Sequence, residues 1–205
     1  NILNMKNILF LIIVLISFQS YTQTITDQLS KIITLEDAKK FATENPNFET
    51  ELIEIQPEID STSFARNFTE YKVGDILSDN EYFYKILFET KVKSFRVSYI
   101  FLDANKISIK EIEKIRTKIL QDYRKGVPFV TLANKYKMDN SKDGDLGWFS
   151  EGMMVPDFEI AIKNHNQNDI FKVNVPTEKW YYVVLKTYKD KQIKNLSVLK
   201  IKNIK

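Results

Sequence analysis

The residues best placed to form a ligand site are Gly144-Asp145-Leu146-Gly147-Trp148-Phe149, followed by Gly152-Met153-Met154-Val155 and Phe158-Glu159. Glycines at 144 and 147 allow a tight, close-packed backbone. The apolar side chains around them can pack as core, but two consecutive methionines beside a glycine also suit an adaptable apolar cup at a surface. Composition leaves core and cup both open. Other chemistries are poorly served. A serine triad needs a histidine beside its nucleophile, and the chain has one histidine, His165, in the polar run 164–169, where an exposed loop residue is expected. Neither a G-x-S-x-G nor a phosphate-cradling glycine loop is present, which removes the common nucleotide enzymes. Asp139-Asn140-Ser141-Lys142-Asp143-Gly144 imitates the first half of a calcium loop. Its twelfth position is Ser150, where a bidentate Glu is required, so a plain polar turn is the expected reading.

Regular elements must hold these residues in place. Phe95 to Leu102 reads as a buried strand. Ser108-Ile109-Lys110-Glu111 is a capping-box signature opening a helix with Ile112, Ile115, Ile119 and Tyr123 on one stripe, and Gly126 stands where a C-terminal cap belongs. Pro128 suits the first turn of a second helix carrying Phe129, Leu132, Ala133 and Tyr136. A polar loop spans 139–147, Pro156 starts a third helix, and Trp180 to Lys186 is rich in strand-favouring residues. Upstream, Thr34 caps a short helix ended by Pro46, Glu51 to Ile55 alternates like a strand, 62–67 forms a further helix, and Tyr82 to Phe88 forms a strand after a turn at Val73-Gly74. Gly74-Asp75-Ile76 before Tyr82-Phe83-Tyr84 faintly echoes Asn168-Asp169-Ile170 before Trp180-Tyr181-Tyr182.

With 43% hydrophobic and 13% aromatic residues, the 205-residue chain can bury a core. Its formal charge of +3, with lysines spread throughout, argues against a nucleic-acid partner. Met5-Lys6-Asn7 and the apolar run Ile8 to Ile16 read as a secretory signal, too short to span a bilayer, with Ser20 and Thr22 placing cleavage before Gln23. The absence of cysteine removes disulfides, thiolate nucleophiles and cysteine-based zinc sites. Export without disulfides suits a bacterial envelope space, so a periplasmic location without stable membrane insertion is expected. The expected organisation is a signal over 1–22, a small α/β region over 23–92, a main domain over 93–190 and a tail over 191–205 that adds a strand or trails.

Phe129-x-x-Leu132-Ala133-x-x-Tyr136, Asp139, Gly144-Asp145-Leu146-Gly147-Trp148-Phe149-x-x-Gly152-x-Met154 and Phe158-Glu159-x-Ala161 together resemble the signature of parvulin-type (PpiC-like) peptidyl-prolyl isomerases. The resemblance runs from about Val97 to Lys186. It implies an α+β fold, an antiparallel sheet of about four strands with helices packed on it. It also implies isomerisation of Xaa-Pro bonds without cofactor or metal, acting on unfolded or extended proline-containing polypeptides. Carried over, Leu146, Met154 and Phe158 line the proline pocket, and Asp139 takes a position where the family has Cys or Asp. The family's two histidines are replaced, one by Tyr99 within Ser98-Tyr99-Ile100 and one by Tyr181 within Trp180-Tyr181-Tyr182. The catalytic set expected is therefore Asp139, Tyr99 and Tyr181. The alternative is a catalytically weakened domain that serves as a chaperone-type peptide binder.

Overall fold

A computed structural model describes residues 25–202, so the expected leader lies outside the described residues. The chain divides into two compact units, one of residues 25–90 with 194–202 and the other Lys91–Ile193.

In the first unit a helical segment over 25–30 and α1 (Leu35–Glu44) lie on one face of a sheet, burying Ile25, Leu29, Ala38 and Phe41 against Phe83, Leu87, Leu199 and Ile201. Thr34 opens α1 with a full capping box: Asp37 N–H donates to Thr34 Oγ1 (3.1 Å) and Thr34 N–H to Asp37 Oδ2 (2.9 Å). On the other face α2 (Ser63–Arg66) and the residues just after it bury Ala65 and Phe68 against Tyr84, Ile86, Leu196 and Val198. The strands are β1 (Thr50–Ile55), β2 (Ile76–Ser78), the part of β3 (Tyr82–Asp103) up to Thr90, and the last strand, β7 (Lys191–Lys202). Their order is β1-β7-β3-β2. The tail is therefore not a trailing segment, because β7 fills the place between β1 and β3.

The second unit takes up β3 from Lys91 and continues through α3 (Ile109–Arg124), α4 (Phe129–Tyr136), β4 (Asp145–Ser150), α5 (Pro156–Lys163), β5 (Ile170–Val175) and β6 (Trp180–Lys186). The sheet order is β4-β3-β6-β5 with every neighbouring pair antiparallel. Two strands that local pattern did not locate, β4 and β5, complete the expected four. Ser108 caps α3 by accepting the Glu111 N–H at 3.3 Å. Pro128 sits at the N-cap of α4, one residue before the first turn, while Pro156 occupies the first turn of α5.

Strand alternation decides what each face receives. Ile100, Leu102, Tyr181 and Val183 face α3 and α4. Phe95, Val97, Phe171 and Val184, with Tyr99 and Tyr182, face α5. On the first face Arg116 is 2% exposed, donates to Asn174 Oδ1 at 2.6 Å, pairs with Glu113 at 3.4 Å and lies over the Tyr181 ring. On the second, the buried Lys186 ammonium donates to the carbonyls of Ile162 (3.0 Å) and His165 (2.7 Å), tying the C-terminal end of α5 to β6.

Gly144 sets the approach of the polar loop to the sheet. Its φ is +73°, its carbonyl accepts the Tyr99 N–H at 2.8 Å, and an added Cβ would lie 2.6 Å from the Tyr99 carbonyl oxygen and 2.9 Å from Ala133 Cβ. Gly147 has a similar φ of +75° but open space around the missing Cβ. Gly144→Ala is expected to lower unfolding free energy by roughly 2 to 4 kcal/mol, from the left-handed backbone and overpacking together, and Gly147→Ala by only about 1 to 2 kcal/mol. Urea titration of the two variants checks the difference, and equal losses would refute the role given to the Tyr99 contact.

Candidate active site

A cavity of about 380 Å³ opens on the α5 face of the second unit. Its floor is aromatic. Tyr182 of β6 lies 6.1 Å from Tyr99 of β3, 5.4 Å from Phe101 and 5.1 Å from Phe158 of α5, ring centre to ring centre. Trp180 extends this floor beside Phe101. Leu146 from β4 and Met153, Met154 and Val155 from the β4–α5 connection close the sides. Phe158 is buried, whereas Met153 is 56% exposed, so the cup has a fixed aromatic base and a methionine lip.

Asp139 supplies the one charged side chain in the lining. Its Oδ2 accepts the Tyr99 hydroxyl at 2.8 Å, and its Oδ1 accepts the Ser141 hydroxyl at 2.7 Å. The Lys137 ammonium donates to the Ser141 carbonyl and pins the turn. Asp143, the other acid of the calcium-like run, accepts from Asn134 instead, at 2.8 Å. Burial, reinforced by the bond to Asp139, raises the pKa of Tyr99. Burial, with Tyr99 and Asp139 nearby, pushes Tyr182 up to about 12. Phenols are neutral at physiological pH in any case, and these shifts keep both able to offer an O–H to still higher pH.

Five of the six expected site residues meet at this cavity: Asp139, Tyr99, Leu146, Met154 and Phe158. Tyr181 does not. It is on the opposite face of β6, packed with Leu102 and Ile112 under α3, and its neighbour Tyr182 reaches the cup. The error was one of register, since a one-residue slip along a strand changes faces. The buried Val183 on the face of Tyr181 and the aromatic pairing of Tyr182 with Tyr99 show which phase is right.

Sequence reasoning also passed over the role of Glu159. This carboxylate is 6% exposed, and its Oε1 accepts backbone N–H groups from Gly152 (2.8 Å) and Met154 (2.9 Å). One buried acid on α5 thus holds the methionine lip over the helix that carries Phe158. Arg96 likewise grips Asp145, with Nη2 to Oδ2 at 2.6 Å, at the start of β4, and this bond holds the Asp145 carboxyl below its usual pKa.

A four-stranded antiparallel sheet with two helices on one face and one on the other is the fold of a parvulin-type domain. The family model for the PPIC-type PPIase domain matches residues 82–190, and the chain belongs to that family. It is 35% identical over 97 residues to the Foldase protein PrsA of Halalkalibacterium halodurans, covering 45% of this chain and 28% of that protein. It is 32% identical over 82 residues to the Chaperone SurA of Legionella pneumophila, covering 38% of this chain and 18% of that protein. The matched stretch spans less than a third of the length of either relative. Among solved structures, the peptidylprolyl isomerase PrsA from Bacillus anthracis aligns with a TM-score of 0.40 at 25% identity, over 50% of this chain and 44% of that one.

Glu159→Ala leaves two N–H groups without their acceptor, a loss of about 1 to 3 kcal/mol. Glu159→Gln keeps an acceptor oxygen. The alanine variant is expected to weaken binding of a proline-containing peptide about tenfold, and the glutamine variant to restore most of it, as read by titration calorimetry. Equal affinity in all three proteins would show that the lip plays no part in binding.

Proposed function

We propose that this chain is a peptidyl-prolyl cis-trans isomerase acting on Xaa-Pro bonds of unfolded or extended exported polypeptides, assisting their folding in the bacterial envelope. The observation that carries the reading is the aromatic cup itself, which joins Leu146, Met154 and Phe158 to the Tyr99–Asp139 pair within a domain of the PPIC-type family. Its apolar walls and single carboxylate suit a proline ring whose carbonyl lies near Asp139. The exported setting is supported by the secretory pattern of the first 22 residues, and the folding role by the foldase and chaperone relatives. Among the described residues no helix is long and apolar enough to cross a membrane.

Rotation about an Xaa-Pro bond meets a barrier of about 18 to 20 kcal/mol because the amide loses resonance as it twists. No bond is made or broken. Leu146, Met154 and Phe158 hold the ring and exclude water, so the energy of binding can be directed at the twisted amide. The Asp139 carboxylate places negative potential near the carbonyl carbon and disfavours the charge-separated resonance form. Tyr99 fixes the direction of that carboxylate, and Tyr182, in place of Tyr181, gives the floor a neutral hydroxyl.

Tyrosines at both positions where the family carries histidine favour a second reading, a peptide binder of reduced or no turnover. Exchange NMR on an Ala-Xaa-Pro peptide separates the two. The wild type is expected to accelerate exchange, Asp139→Asn to reduce kcat/KM about tenfold, equivalent to about 1.4 kcal/mol, and Phe158→Ala to abolish measurable acceleration. A wild type that binds the peptide without accelerating it would establish the binder instead.

The pH dependence follows from the phenols. Raised pKa values keep Tyr99 and Tyr182 protonated, and hence uncharged, through the range in which an imidazole near 6.5 would titrate. The value of kcat/KM is expected to stay level from about pH 6 to 9, and an inflection near 6.5 would be inconsistent with a tyrosine floor.

A further inference from the structure

The isomerase reading leaves residues 25–90 and 194–202 without an assignment, although their architecture repeats that of the second unit. Sheet order is β4-β3-β6-β5 in the second unit and β1-β7-β3-β2 in the first. The outer pairs are antiparallel in both. The central β7–β3 pair of the first unit is antiparallel as well, since Asn195 bonds to Thr90 while Lys200 lies over Tyr82. Two helical segments cover one face in each unit and a single short helix covers the other.

Chain order also agrees, with one exception. After its first strand the second unit runs helix, helix, strand, helix, strand, strand. The first unit runs through the same six elements from residue 25, and β7, placed like the first strand, comes last.

The correspondence extends to individual bonds. A constant difference of 94 relates 68–78 to 162–172, and a difference of 100 relates the strand that follows. Lys72 N–H donates to Asp75 Oδ2 at 2.9 Å, as Asn166 N–H does to Asp169 Oδ2 at 2.7 Å. Asp75 N–H donates to the Lys72 carbonyl, and Asp169 N–H to the Asn166 carbonyl, both at 3.1 Å. The Gly74 N–H donates to the Ile86 carbonyl as the Asn168 N–H does to that of Lys186, and both Gly74 and Asn168 have positive φ. Ile76↔Lys85 and Leu77↔Tyr84 repeat Ile170↔Leu185 and Phe171↔Val184. Side chains keep the same faces: Ile76 and Phe83 lie toward the two-helix side like Ile170 and Val183, and Leu77 and Tyr84 lie toward the single helix like Phe171 and Val184. Phe64 stands at the position of Phe158, and Tyr82 at that of Tyr182.

We infer that the first unit is a second, circularly permuted copy of the isomerase fold whose first strand has moved to the end of the chain, and that this copy does not isomerise proline. Its equivalent of the cup is not built. The Lys200 ammonium lies 4.3 Å from the centre of the Tyr82 ring, so a charge covers the floor where Tyr182 is open. The helix bearing Phe64 is one turn long, against two in the second unit. No methionine lip stands in the β1–α2 connection, which reads Gln56-Pro57-Glu58-Ile59-Asp60-Ser61. The chain therefore pairs a catalytic lobe with a non-catalytic lobe of the same fold.

The displaced strand provides the test. Two variants of the full chain are compared by hydrogen exchange, with Ile55, Ile86 and Leu87 amides reporting the first unit and Val183 the second. One variant ends at Ile193. The other moves 194–202 in front of residue 25 through a copy of the five residues 104–108, which join strand to helix in the second unit. Ending the chain at Ile193 is expected to abolish protection in the first unit and leave Val183 protected. Restoring the strand at the front is expected to recover at least a hundredfold of the lost protection. Full protection without β7, no recovery after the move, or loss of Val183 protection in either variant would each overturn the inference. Rotamase assays on the same samples are a separate readout, since the strand result stands whether or not the second unit turns over.

Discussion

The Tyr99 N–H reaches the Gly144 carbonyl across 2.8 Å, at a point where the backbone of the polar loop touches the sheet without room for a β-carbon. From that contact the chain runs back to Asp139, whose carboxylate meets the hydroxyl of the same Tyr99, and forward into β4, whose Leu146 forms a wall of the cup. One tyrosine thus anchors the loop twice, through its backbone and through its side chain. The position of the acid relative to the apolar cup depends on both bonds, and the rest of the second unit serves to hold β3 and β6 in register beneath them.

Tyrosine in place of histidine changes the electrostatics of the floor more than its shape. An imidazole near neutral pH exchanges protons and carries a variable charge. The two phenols here are uncharged at neutral pH, and burial extends that to higher pH, so the field across the cup comes from Asp139 alone among the lining residues. A carboxylate beside a neutral aromatic box makes a simpler environment than one that includes a titrating imidazole. It also puts the demand on geometry, which Glu159 and Gly144 supply through backbone bonds at the lip and the loop.

Much of this was legible in the sequence. The stripe on α3 and Thr34 and Ser108 as caps are local signals, decided within a few residues, and they located helices, whereas the cup residues came from the family signature and not from local pattern. Tyr181 was misassigned because the run Trp180-Tyr181-Tyr182-Val183-Val184 is apolar on both faces, and a strand buried on both sides carries no alternation from which to read phase. β5 did alternate, with Phe171, Val173 and Val175 inward and Lys172 and Asn174 outward, and that pattern could have revealed it. β4 could not be found this way, because its glycine and its exposed Asp145 look like a turn. The partner of β1 was beyond local reach altogether: Thr50 pairs with Ile201, and no window of sequence contains both.

That distance has a consequence in time. Synthesis proceeds at about 5 to 20 residues per second, so roughly a hundred residues between the end of the first unit's leading segment and β7 represent about 5 to 20 seconds. Throughout that interval β1 has no neighbour to pair with, and every strand of the second unit is made before it ends. Long-range pairing of this kind is slow to form even once it is possible. The lobe that begins first is therefore the last to be completed, and its unpaired β1 is what a folding environment must protect.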